Sequence, residues 1–167
     1  MTFGRGGDRY RRNRAAGVED KAIALHGSGE HNDEMAKAAE DHFAILYGLK
    51  PSNNRRPTDA EFLVRDASID VKWTPYEHGM LIHAMSSRTR ATFYVLVVGA
   101  SRGLFRVAGW AWGFELHRSI VGPPKLRVPT YALPQDRLRQ NLDIQMATLY
   151  VLRRGEPTWS STSRAGR

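Results

Sequence analysis

The chain has 167 residues, 41% hydrophobic and 10% aromatic, enough to bury the core of one domain and too apolar for wholesale disorder. It has no cysteine, which excludes disulfides and thiolate metal sites. The net charge of +8 sits mostly at the ends: residues 1–14 hold five arginines against Asp8, and residues 153–167 hold four against Glu156, leaving a nearly neutral body.

Residues 1–17 predict a flexible basic arm, in which Arg9, Arg11, Arg12 and Arg14 can grip a phosphate backbone without sequence preference. The arm lacks the apolar stretch of a signal peptide, and no segment approaches membrane-spanning length, so the expected location is the cytoplasm or a virion. A folded domain is expected over residues 18–152 and a second basic tail over 153–167. Val18–Leu25 reads as a short helix ended by the turn formers of "HGSGEHND". Asn32 or Asp33 can cap the next helix, "EMAKAAEDHFAILYGLK", and Gly48 can stop it. "PSNNRRPTD" (51–59) is a loop with two prolines.

From there the pattern turns to strands: 61–64 and 68–74 around "RDA", then 79–84, 92–98 and 104–116, all β-branched or aromatic. "GASRG" (99–103) joins two strands with no helix after it, so its glycines are turn chemistry and not a phosphate cradle. A Pro-rich stretch holds a short strand at 127–132, and 135–152 reads as a helix packed on the sheet. The fold class is therefore α/β in the broad α+β sense, with a mixed central sheet of about five strands flanked by helices.

The chemistry concentrates around "SIDVKWT" (68–74). Alternation places Ile69, Val71 and Trp73 on one face, with Asp70 and Lys72 on the other. In the helix before it, Met35, Ala36, Ala39, Phe43, Leu46 and Tyr47 form an apolar stripe with Glu40 at its border, an acid aimed along the core. If "RDA" is a hairpin turn, Asp59 comes within several ångströms of Asp70. Two carboxylates converging near a lysine raise each other's pKa unless a divalent cation lies between them. Hard oxygen ligands favour Mg2+ or Mn2+ there, and Lys72 would position or activate a water. His78 and His83 flank the following strand without ligand spacing, and His26 and His31 match no histidine–metal pattern. Trp110, Trp112 and Phe114 alternate on one strand face, which marks core or a partner surface.

"AAEDHFAILYGL", "PTD" and "IDVKWT", followed by successive strands, a "GW" strand and a "Y-x-x-P" segment, resemble the PD-(D/E)xK nuclease superfamily over residues 33–140. The resemblance is greatest to its small phage-type members, in which a helix Glu precedes a "(D/E)VK" strand. It implies a restriction-endonuclease-like fold and a phage-encoded, metal-dependent nuclease acting on DNA, with a second copy or another phage protein as further partner. It implies Asp59 and Asp70 as Mg2+ ligands, the Val71 carbonyl as an extra ligand, Lys72 as the catalytic lysine and Glu40 as the supporting helix carboxylate. Because the motif reads Pro-Thr-Asp, Glu61 and Asp66 remain alternatives to Asp59. A nuclease-fold protein that binds nucleic acid or serves a virion without cutting stands beside the enzyme as the second expectation.

Overall fold

A computed structural model describes residues 29–50, 60–64, 67–99, 104–119 and 128–140. Helix α1 (Gly29–Tyr47) leads into strands β1 (Phe62–Val64), β2 (Ala67–Thr74), β3 (Leu81–Ala84), β4 (Phe93–Val98) and β5 (Arg106–Trp112). A one-turn helix α2 (Gly113–Leu116), strand β6 (Thr130–Leu133) and a 3₁₀ turn (Gln135–Arg137) follow.

Four strands form a mixed sheet in the order β1-β2-β4-β5, and β3 leaves it to pair with β6. β1 and β2 are antiparallel, with Phe62 opposite Ile69 and Val64 opposite Ala67, so the "RDA" segment does join a hairpin. β2 and β4 are parallel, and β4 and β5 antiparallel. The strands are thus not a run of consecutive hairpins: β3 lies within the crossover that parallel pairing of β2 and β4 demands. The central sheet has four strands where about five were expected.

Both faces of this sheet are covered. Ala39, Phe43 and Ala44 of α1 pack on Phe62, Ile69, Val71, Phe93, Val95 and the two tryptophans Trp110 and Trp112. On the opposite face Tyr94, Leu96 and Val98 meet Leu81, Leu116 and Leu138, with Tyr131 and Leu133 of β6 alongside. Burial on both faces explains why all six residues of β4, "FYVLVV", are buried and why the segment reads as an unbroken apolar run.

Several boundaries differ from expectation. α1 begins at Gly29, so Asn32 and Asp33 lie inside the helix rather than capping it. Gly48 does end it, in a left-handed conformation (φ 63°) that a side chain would disfavour. Leu46 is 58% exposed although Tyr47 of the same turn packs on the core, so the buried face is displaced from the apolar stripe and holds Asn32, Met35, Ala39, Glu40, Phe43 and Ala44. The long segment 104–116 bends after Trp112 into α2, whose first turn is tied by the Trp112 N–H donating to Glu115 Oε2 (3.2 Å). Phe114 therefore leaves the strand and stacks on Trp112 from outside.

The helix expected from residue 135 starts only as a 3₁₀ turn, after which Arg139 and Trp110 exchange two backbone hydrogen bonds (2.8 and 3.0 Å). That crossing needs Gly109 (φ 147°), where a Cβ would stand 2.7 Å from Leu138 Cβ and 2.8 Å from the Arg139 carbonyl. The basic arm and tail, the helix at 18–25, the loop at 51–59 and residues 141–152 lie outside the described residues.

Candidate active site

β2 sorts its side chains by alternation: Ile69 and Val71 enter the core under α1, while Asp70 and Lys72 project from the other face. Asp70 is only 1% exposed, and its Oδ2 lies 2.6 Å from Lys72 Nζ, whose side chain keeps 31% of its surface. Burial by itself would raise the Asp70 carboxyl, but the adjacent Lys72 ammonium and a hydrogen bond from Glu61 hold it below its ordinary value. Lys72 shows the converse. Burial would lower it, and the Asp70 and Glu61 charges outweigh that and raise it. Both members of the pair are therefore ionised at neutral pH.

Glu61 completes the group. It stands just before β1, and its Oε2 accepts the Val71 N–H at 3.2 Å, while the carboxyl also bonds to Asp70. Burial first, and then the Asp70 charge, push the Glu61 carboxyl up to about 9, with the Glu40 charge adding to the rise and Lys72 opposing it. Glu61 and Asp70 thus share one proton, which is how two close carboxylates avoid repulsion when no cation separates them.

The Thr74 carbonyl accepts from Gly99 on the β4 side of the sheet, so the odd-numbered residues of β2 turn their backbone groups toward β1. N–H and C=O of a strand residue leave on one side. The Val71 carbonyl accordingly points to the side occupied by Glu61.

Glu40 arrives from the opposite layer. α1 covers the Ile69/Val71 face, not the Asp70/Lys72 face, so Glu40 meets the group through its charge on Glu61 at the margin of the sheet. It is 5% exposed and pairs with Lys37 Nζ (3.3 Å), which also holds Asp41 (2.8 Å).

Opposite Asp70 in the β2–β4 register is Tyr94. Its hydroxyl donates to the Thr89 carbonyl (3.2 Å), accepts the Ala91 N–H (3.3 Å), and lies 3.5 and 3.4 Å from Nε2 of His83 and His117. Burial, and secondarily the Lys72 charge, bring His83 down to about 4. Burial and the Arg90 charge do the same to His117. Tyr94 is raised to about 12 by burial. All three are neutral at pH 7, so the positive charge acting on this face is that of Lys72 and Arg90.

Of the residues expected at the site, the structure brings Asp70 and Lys72 into contact, while Glu40 lies on the other layer, pairs with Lys37 and bears on the group through its charge on Glu61. Among the described residues the acid that reaches Asp70 is Glu61, one of the two alternatives to Asp59. Asp59 and Asp66, like Arg9, Arg11, Arg12 and Arg14, lie outside the described residues. Among the described residues no three His, Asp or Glu side chains are grouped to hold a metal, so the described donors are the two carboxylates and the Val71 carbonyl.

Trp110 and Trp112 are core residues, each 8% exposed. Tyr94 and His117 do not emerge from the sequence as site residues. The available signal was a hydroxyl inside the apolar run "TFYVLVV", since a buried tyrosine needs a partner for its O–H. No helix among the described residues is long and apolar enough to cross a membrane. Comparison of the chain with family models, with curated proteins and with solved structures gives no match.

Proposed function

We propose that the protein is a metal-dependent nuclease of the PD-(D/E)xK type that hydrolyses phosphodiester bonds of DNA. The observation that carries this is the buried Asp70–Lys72 ion pair with Glu61 hydrogen-bonded to the same strand. Chemistry on a phosphodiester needs anionic oxygens and one fixed cation in a site shielded from bulk water, where charge is worth most.

The donor set suits a hard divalent ion. Glu61, Asp70 and the Val71 carbonyl offer oxygen ligands, and the proton that burial first and the Asp70 charge second hold on Glu61 is one a bound cation would displace. Mg2+ or Mn2+ would be held by these groups, with Asp59 and Glu40 as the further acids, and when bound it supplies charge neutralisation and an acidified water. Lys72 is held as an ammonium, so it acts as a donor and not as a base. Its part-exposed tip places a positive charge against the charge that develops on the phosphate.

The test is incubation of plasmid and linear DNA with the full chain in Mg2+, Mn2+ or EDTA, beside Asp70→Ala and Lys72→Ala. Cleavage that requires metal and is lost in both variants, with their folds intact by circular dichroism, supports the nuclease. Cleavage persisting in both removes the site. Intact DNA that shifts in a gel makes the protein a binding module of the same kind that does not cut.

A further inference from the structure

The basic side chains of the described body divide into two groups. Lys37, Lys72, Arg106 and Arg139 each meet a carboxylate, Arg106 at Glu77 (2.6 Å) and Arg139 bidentate at Glu115. Lys50, Arg88, Arg90, Arg118 and Arg137 are exposed and carry no carboxylate partner among the described residues. Arg88 and Arg90 sit in the segment between β3 and β4, and Arg118 directly follows His117.

Arg90 is tied to the candidate site by geometry. Its Nη1 donates to the Ser87 carbonyl (2.8 Å) and to the Thr89 carbonyl (3.0 Å). The same Thr89 carbonyl accepts the Tyr94 hydroxyl (3.2 Å), and Tyr94 is the residue opposite Asp70. One carbonyl therefore links the Arg90 fork to the strand position beside the Asp70–Lys72 pair. Its charge also bears on both His83 and His117. Holding Nη1 on two backbone carbonyls restrains the guanidinium plane and leaves Nε and Nη2 without a partner among the described residues. A planar fork fixed in advance, exposed and without a carboxylate, is suited to the oxygens of a phosphodiester. The two neutral histidines beside it leave the local charge to the arginines and Lys72.

We infer that the segment between β3 and β4 is the phosphate grip of this site, with Arg90 as a positioning residue for the backbone of a nucleic-acid strand and Arg88 and Arg118 flanking it. This rests on the nuclease reading for its placement, and differs from it in assigning the grip to the folded body and not to the terminal arginines. The partner is a polyanionic strand because an exposed guanidinium fixed in advance, on the face that carries Lys72, suits the anionic oxygens of a phosphodiester backbone.

The experiment is fluorescence polarisation of the full chain on a labelled duplex oligonucleotide in EDTA, at several salt concentrations, for wild type, Arg90→Ala, Arg90→Lys and Arg106→Ala. Arg90→Ala is expected to weaken binding about tenfold and to lower the slope of log affinity against log salt by about one. Arg90→Lys should restore the slope but not all of the affinity, a pattern that a purely structural role for the carbonyl contacts would not produce. Arg106→Ala, an equal loss of charge at an arginine already paired, should bind as wild type does. An Arg90→Ala protein of native fold with unchanged affinity and slope overturns the inference, as does absence of any binding by wild type. The two proposals fail separately: binding that depends on Arg90 without Mg2+-dependent cleavage removes the nuclease and keeps the grip, and cleavage with binding indifferent to Arg90 does the reverse.

Discussion

Glu61 Oε2 accepts the N–H of Val71 at 3.2 Å, so a carboxyl from the start of one strand is fixed on the backbone between Asp70 and Lys72 of the next. This bond orients Glu61 toward Asp70 and places it where the backbone groups of Val71 emerge. The site is therefore assembled across the β1–β2 hairpin and not along a single strand.

The Glu61 carboxyl rises from 4.5 to about 9 on folding, so between those values the folded chain binds more protons than the unfolded one. Its contribution makes stability fall as pH rises from about 4.5 toward 9. Glu61→Gln keeps an acceptor for the Val71 N–H and removes the titration. Thermal melts in EDTA from pH 5 to 9 should show a flatter alkaline limb for the variant, and parallel limbs would refute the assignment. With Mg2+ present, wild type should gain stability at high pH and the variant should not, because the cation takes the place of the proton.

Lys72 is the counter-charge of a carboxylate that is almost fully buried. Lys72→Met keeps the aliphatic stem and strands Asp70, at a cost of about 1–3 kcal/mol once the partial exposure of Lys72 is allowed for. Asp70→Asn with Lys72→Met should lose less than the two single costs combined, with a coupling of about 1–2 kcal/mol in urea denaturation. Additive losses would mean that the ion pair contributes nothing. Both single variants should reduce metal-dependent cleavage at least about 100-fold.

His83 and His117 each fall from 6.5 to about 4 on folding, so between these values the unfolded chain binds more protons. The stability they contribute is complete above pH 6.5 and is lost as pH falls toward 4. For the nearly buried His83 it amounts to at most about 3 kcal/mol. His83→Asn should flatten the acid limb of the melting profile. Together with Glu61, whose single proton opposes the two of the histidines, this places the pH of greatest stability near 6.5. A wild-type optimum at pH 8 or above would contradict both assignments.

Gly109→Ala should destabilise by about 1–3 kcal/mol, from the positive φ and from contact with the segment that crosses β5 at Leu138 and Arg139. Tryptophan fluorescence during urea unfolding reads this directly, since Trp110 pairs with Arg139 at that crossing. A midpoint equal to wild type would mean that the crossing segment simply gives way.

The sequence by itself determined the core helix, most of the strands and the shared face of the central pair. Alternation in "SIDVKWT" put Asp70 and Lys72 on one face, and an unbroken apolar run marked β4 as buried on both sides. Both follow from local periodicity, which short-range backbone geometry imposes. Tertiary structure decided which layer covers which face. Helical periodicity gives the apolar side of α1 but not the sheet surface it meets, and α1 took the Ile69/Val71 face, leaving Asp70 and Lys72 to Tyr94, His83 and the β3–β6 layer. It also decided that Glu61 and not a more distant residue bonds to Val71, because hairpin register is set by the pairing of two strands and not by either one. The joining of Arg90 to this face through the Thr89 carbonyl depends on a crossover fold, which no local pattern encodes.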